Sequence, residues 1–225
     1  MKKTLLTLLA LTILGFLFYF GNEIYHFAQG VKKDAQRIAQ KQLTEKIKNG
    51  DIIFQTSKSN QSKAIQVATN SKYSHMGIIY INDGEIFVYE AIQPVKLTPF
   101  YEWINRGENG KYVIKRLQNA DEILTETVLE KMKNVGDQFK GKPYDIYFEW
   151  TDDRIYCSEL VWKIYKEAAN IEIGQLDKLS DFDLSNEIVK SKLKERFGTE
   201  IPLNELVISP VSMFNSDKLI TVMEN

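Results

Sequence analysis

Tyr156-Cys157-Ser158-Glu159-Leu160-Val161-Trp162 holds the single cysteine of the chain. Asp152, Asp153 and Arg154 form a polar loop before it. After it, Leu160, Val161, Ile164, Tyr165 and Ala168 recur at helical spacing. Cys157 therefore falls on the first turn of an amphipathic helix that ends near Asn170. Unpaired backbone N–H groups and the helix dipole favour a thiolate there. Most free cysteines are small buried hydrophobes. The setting argues for a reactive group instead, because exported proteins normally pair their cysteines or lack them.

Export is read from the N-terminus. Lys2 and Lys3 precede an apolar run from Leu5 to Phe20. Residues 1–25 are expected to be a signal peptide or a membrane anchor. The anchor is favoured, since no small-residue cleavage site follows the run. Lysines ahead of the run put the remainder outside the cytoplasm, periplasmic or extracellular. Residues 26–49 read as a helical connector, with a helix from Val31 to Lys48, and residues 50–225 as one catalytic domain. The 225-residue chain is 44% hydrophobic and 26% charged, ordinary for a folded domain. Its 29 basic and 30 acidic residues form no basic stripe, so nucleic acid is not an expected partner.

Strands are expected at Asp51–Gln55, His75–Ile81, Glu85–Ile92 and Lys111–Leu117. Helices are expected at Ser62–Thr69, Thr98–Arg106, Asp121–Phe139 and Ser185–Phe197, with an extended stretch over Leu203–Ile208. Helices at the ends and strands together point to an α+β fold with an antiparallel sheet packed against the cysteine-bearing helix.

A thiol nucleophile needs a base, and imidazole fits near neutral pH. Of two histidines, His26 lies beside the apolar segment, which leaves His75 at the entry of a strand. Asp83-Gly84 reads as a two-residue hairpin turn. Asn82 then faces Glu85, and Gly77 faces Glu90. His75 and Glu90 become diagonal neighbours on one face, with Cα atoms about 7–8 Å apart. Gly77 leaves room for the two groups to meet. Glu90 is a charge in an apolar strand and needs a partner. Gln93 is the neutral fallback for orienting the imidazole. The Cys157 N–H is a candidate oxyanion donor and the Tyr144 hydroxyl a second. Tyr73 and Asp51 are candidates for either the substrate site or the scaffold. One cysteine and one usable histidine do not make a zinc site, and no glycine loop cradles phosphate, so no metal or cofactor is expected.

Several ordered segments carry a resemblance. They are Gly50-Asp51-Ile52-Ile53-Phe54-Gln55-Thr56-Ser57, Tyr73-Ser74-His75-Met76-Gly77, Tyr89-Glu90-Ala91, Gly141-Lys142-Pro143-Tyr144-Asp145 and Asp152 to Trp162, followed by Phe182-Asp183-Leu184-Ser185 and Ile201-Pro202-Leu203. The stretch from Gly50 to about Phe214 resembles the YiiX-like proteins, circularly permuted papain-like relatives of the NlpC cell-wall peptidases. The resemblance implies a permuted papain-like fold, Cys157 as nucleophile, His75 as base and Glu90 as the orienting group. It also matches Tyr144 to the tyrosine that follows Gly-x-Pro in those peptidases.

The expected activity is thiol hydrolysis of an amide through an acyl-enzyme, acting on a cell-wall-type peptide or a small amino-acid amide. Two alternatives remain. One is a lipid-directed thiol acyltransferase or thioesterase of the lecithin–retinol acyltransferase type, which a deep apolar groove beside Cys157 would favour. The other is a non-catalytic binding module, which would leave Cys157 far from His75.

Overall fold

The computed structural model describes residues 2–225, with the side chains of residues 2–13, 36, 39, 40 and 60 outside the description. The chain forms two units, Met1–Glu45 and Lys46–Asn225. The first is one helix, α1 (Lys2–Thr44). The apolar run Leu5–Phe20, on which the anchor expectation rests, lies largely outside the described side chains. Among the described residues no helix is long and apolar enough to cross a membrane.

The second unit begins at Lys46, slightly ahead of Gly50, because this segment is tied to the sheet. Arg116 donates to the Lys46 carbonyl, and the Lys48 N–H donates to Asp51. In chain order the elements are β1 (Ile52–Gln55), α2 (Asn60–Ala68), β2 (His75–Asn82), β3 (Glu85–Glu90), β4 (Lys96–Pro99), α3 (Phe100–Asn105) and β5 (Val113–Leu117). Then come α4 (Ala120–Ile123), α5 (Glu126–Phe139), α6 (Cys157–Ala169), β6 (Asp177–Lys178), α7 (Glu187–Phe197), β7 (Leu206–Val207), α8 (Pro210–Phe214) and β8 (Leu219–Glu224). The main sheet runs β4-β3-β2-β1-β5-β8 with antiparallel neighbours. A two-stranded ribbon joins β6 to β7.

The two faces of the sheet do different things. Ile52, Phe54, Met76 and Ile78 belong to the core that contains α6, through Leu160, Val161 and Ile164. On the other face, cross-strand pairing aligns Gln55 with His75 and Ile53 with Gly77. The cysteine-bearing helix and the imidazole's strand face thus lie on opposite sides of β2.

Three expectations about elements are corrected. The helix expected over Thr98–Arg106 starts only at Phe100. Thr98 and Pro99 belong to β4, as the residue before a proline favours extended backbone. The single helix expected over Asp121–Phe139 is two, because Thr125 has extended backbone and its side chain accepts the Val128 N–H as an N-cap. The sixth strand, β8, was absent from the expected set.

The β2–β3 hairpin has the expected register, with Asn82 opposite Glu85 and Ile78 opposite Tyr89. Asp83 and Gly84 both have positive φ, 50° and 77°, as a type I′ turn requires. A Cβ added at Gly77 would lie 2.5 Å from Val88 Cγ1 and 2.7 Å from the Tyr89 carbonyl oxygen. The latter is backbone and cannot rotate away. Gly77→Ala should therefore destabilise the domain by about 1–3 kcal/mol, a Tm loss of several degrees. Thermal unfolding of both proteins checks this, and an unchanged Tm would contradict the close approach.

Candidate active site

Cys157 opens α6, and the loop ahead of it is pinned on both sides. Tyr156, the N-cap, has extended backbone, and its N–H lies 3.4 Å from a Glu159 carboxylate oxygen. Its hydroxyl accepts the Ile208 N–H at 3.1 Å, while Ser158 donates to the Ile208 carbonyl at 2.7 Å. The first turn is thereby fixed against the segment before α8. Glu159 is wholly buried, and Lys163 lies 2.8 Å away one turn on. Burial raises its pKa to about 8 despite that ammonium.

His75 Nε2 lies 2.6 Å from Glu90 Oε2. The other Glu90 oxygen accepts from Thr98 and Arg106. Glu90 is completely buried, so three donors compensate its lost hydration. The Trp103 indole stacks on the imidazole, with centroids 5.9 Å apart and planes at 25°. With Nε2 committed to Glu90, Nδ1 is the ring nitrogen left for the sulfur. His75, the Met76 backbone N–H and the Tyr144 hydroxyl are close enough to Cys157 to act on its ionisation, and all three favour the thiolate.

Tyr144 is held by its neighbours in sequence and space. Its N–H donates to Gln93 Oε1 at 2.6 Å. On the other side, the Ile155 N–H donates to Pro143 and the Asp145 N–H to Ile155. That places the tyrosine beside the cysteine two residues after Ile155. Gln61 Nε2 reaches the Tyr144 hydroxyl at 3.5 Å.

The structure decides between alternatives for three residues. Gln93 serves the Tyr144 backbone rather than the imidazole. Asp51 is a scaffold residue, with both its oxygens 2.7 Å from Arg116. It sits at the end of β1 away from Gln55, so it lies roughly 13 Å along the strand from the residue that neighbours His75. Tyr73 also belongs to the scaffold. Its ring stacks on Phe214 at 4.0 Å and meets Phe54 edge-on at 6.1 Å, inside the core. The sequence reading missed Thr98, Arg106, Trp103 and Gln61. Thr98 was the accessible one, because in the β3–β4 register it is diagonal to Glu90.

The site's ionisation follows from these contacts. Burial alone would raise the Cys157 pKa, but His75, the Met76 N–H and Tyr144 bring it below its usual value. Burial pulls His75 down, yet its bonds to Cys157 and Glu90 outweigh this and push it up to about 9. Burial would raise Glu90, but His75, Thr98 and Arg106 hold it below the usual carboxylate range. Burial, then the neighbouring thiolate, pushes Tyr144 well above its usual value, so it stays a donor. Between the lowered thiol value and about pH 9 the pair is thiolate and imidazolium.

Two cavities meet at this pair. One, of about 90 Å³, touches Cys157 and is lined by Ala64, Ile65, Phe148, Leu193, Val207 and Ile208, with Lys192 and Arg196 at its margin. The other, of about 890 Å³, touches His75 and carries Lys58, Arg106 and Arg154 in its wall beside Ile92, Pro143 and Ile146. Tyr144 and Gln61 line both.

The family model described as "Permuted papain-like amidase enzyme, YaeF/YiiX, C92 family" matches residues 46–223. Among curated proteins, "Uncharacterized protein YiiX" of Escherichia coli (strain K12) is 49% identical over 173 residues, 77% of this chain and 84% of that one. Among solved structures, the crystal structure of "metalloprotein yiiX" from Escherichia coli O157:H7 is similar, with TM-score 0.76 and 47% identity. The match covers 80% of this chain and 98% of that one. That description names a metal for the other protein. Among the described residues here, no group of three or more His, Cys, Asp or Glu side chains is placed to hold a metal ion. The chemistry derived below uses side chains alone.

The ion pair has a measurable signature. Iodoacetamide alkylation of Cys157, followed against pH, should rise with a midpoint below the usual thiol range. In His75→Asn the midpoint should move up by about one unit or more, because burial then acts with less opposition. Superimposable profiles for the two proteins would contradict the pairing.

Proposed function

The chain belongs to the permuted papain-like amidase family, a family of cysteine hydrolases, and from that premise we propose that Cys157, His75 and Glu90 are its catalytic residues. The observation that carries this is the convergence of the three groups, with the His75 imidazole bonded to Glu90 at 2.6 Å and coupled in its ionisation to the Cys157 thiol. The Cys157 thiolate attacks the amide carbonyl and a C–S bond forms. The Cys157 N–H at the start of α6 and the Tyr144 O–H stabilise the developing oxyanion. His75 passes its proton to the amide nitrogen as the C–N bond breaks and the amine leaves. The neutral imidazole then takes a proton from water, which attacks the thioester. The carboxylic acid is released and the thiolate–imidazolium pair returns. Glu90 holds the ring orientation and favours its charged form.

The acyl side of the substrate is apolar in this reading. A pocket lined by Ala64, Ile65, Phe148 and Leu193 adjoins the nucleophile. That favours the lipid-directed alternative over a closed pocket built to grip a peptide amine and carboxylate. The reaction remains transfer of an acyl group to and from Cys157, and the substrate is an amide with an apolar acyl part. The catalytic unit works outside the cytoplasm, held near the membrane by its N-terminal segment. Support for this is Lys2 and Lys3 ahead of the apolar run Leu5–Phe20.

Four outcomes test the reading. Cys157→Ala and His75→Ala should each lower kcat/KM for an acyl amide by about 10³-fold or more, and Tyr144→Phe by about 10²-fold. Intact-mass analysis of a slow His75 variant should show an acyl adduct on Cys157. Activity that survives in Cys157→Ala would defeat the proposal. Across a series of straight-chain acyl amides, kcat/KM should climb about fourfold per methylene, the worth of ~0.8 kcal/mol each, until the pocket is full. A preference for acyl groups bearing a free amine would restore the peptide reading. Alkaline phosphatase fused after residue 49 should be active in a bacterial host, whereas an inactive fusion would contradict export.

A further inference from the structure

The amidase reading above assigns the two cavities to different halves of the substrate. The acyl carbon must sit at Cys157, and the leaving nitrogen must sit where His75 can protonate it. The cleft beside His75 is therefore the side by which the amine departs. Its wall has a consistent electrostatic character. It carries Lys58, Arg106 and Arg154 and contains no carboxylate. Arg106 engages Glu90 behind the wall, and Arg154 engages Glu149 and lies 3.8 Å from Asp145. Lys58 has only the Asn105 carbonyl, at 3.4 Å. Among the described residues it is the cation of the cleft without a carboxylate partner.

A further feature lies there. The nine-residue helix α2 begins at the cleft, with its N-cap Ser59 and first-turn Gln61 in the wall. A helix start presents backbone N–H groups and partial positive charge to an anion. Gln55 belongs to the same wall, but its side-chain amide is turned under Gly107 and shielded from the cleft, which leaves Lys58 and the start of α2 as the groups that face it.

We propose that the amine released by the enzyme carries an anionic group, a carboxylate or a phosphate, held in the cleft beside His75 by Lys58, Arg154 and the first turn of α2. The reaction is the one written above, with the C–N bond broken and the proton supplied by His75. The anion selects which amide is cleaved.

The test uses the full chain and four amides with one common acyl group. Their leaving amines are glycine (carboxylate), phosphoethanolamine (phosphate), ethanolamine (neutral) and ethylenediamine (cationic). One or both anionic amides should exceed the neutral one in kcat/KM by about tenfold, mainly through KM, with the cationic amide slowest. Raising the salt concentration should shrink that ratio. Lys58→Glu, at an exposed position, should reduce the anionic-to-neutral ratio about tenfold. A neutral or cationic amide cleaved best, or a ratio unmoved by Lys58→Glu, would overturn the proposal. Whether the acylglycine or the acylphosphoethanolamine leads tells which anion the cleft takes.

Calorimetric binding of the same amides to Cys157→Ala separates this idea from the amidase reading beneath it. Tighter binding of an anionic amide to that variant, with no turnover by the parent chain, would refute the amidase reading and uphold the anion site. Equal binding of anionic and neutral amides would refute the anion site even where hydrolysis is fast.

Discussion

Glu90 is a carboxylate with no exposure to water, and its environment must supply what water would have given. Removing a single partner from such a buried charge typically costs about 3–5 kcal/mol. Three donors meet the demand: His75 from β2, Thr98 from β4 and Arg106 from the end of α3. Each belongs to a different element, so satisfying one side chain also aligns three strands and a helix. The hairpin turn at Asp83-Gly84 sets the register that makes this possible, and Gly77 provides the space. A slip of one residue would turn Glu90 to the opposite face and leave His75 without its anchor.

The rest of the site follows from an imidazole held this way. Its second nitrogen faces the sulfur at the start of α6, across the edge of β2. Met76, next to His75 in β2, adds a backbone N–H to the same sulfur. The nucleophile is then fixed from two directions, by its own helix and by the neighbouring strand. A small apolar cavity lies on the cysteine side, and a larger one carrying Lys58, Arg106 and Arg154 lies on the histidine side. In the proposed reaction that asymmetry separates the acyl group from the amine.

The hairpin and the cysteine helix were legible in the sequence because both carry local signals. Asp-Gly between β-rich runs specifies a turn, the turn specifies a register, and the register places Glu90 near His75 without any tertiary information. The α6 pattern of Leu160, Val161, Ile164 and Tyr165 is equally local. Arg106 was not legible, and Thr98 would have been so only from the pairing of β4 with β3, a strand that the local pattern does not announce. Trp103 reads as an ordinary core aromatic until its ring is seen over the imidazole. Asp51 and Tyr73 illustrate a choice that spacing leaves open. Both flank motif segments, but strand length carries Asp51 away from the site, and the aromatic core claims Tyr73. The resemblance to YiiX-like proteins stands on Cys157, His75, Glu90 and Tyr144, and all four meet in space.

The chain has only two histidines, His26 and His75, which makes one experiment decisive. Imidazole NMR titration of the intact protein should show one ring, His75, that stays protonated through neutral pH and loses its proton near pH 9. In Cys157→Ala that same resonance should titrate at a lower pH, since the sulfur's contribution is gone. A His75 ring that titrates at or below an ordinary histidine value, unaffected by loss of the thiol, would contradict the ion pair on which the account is built.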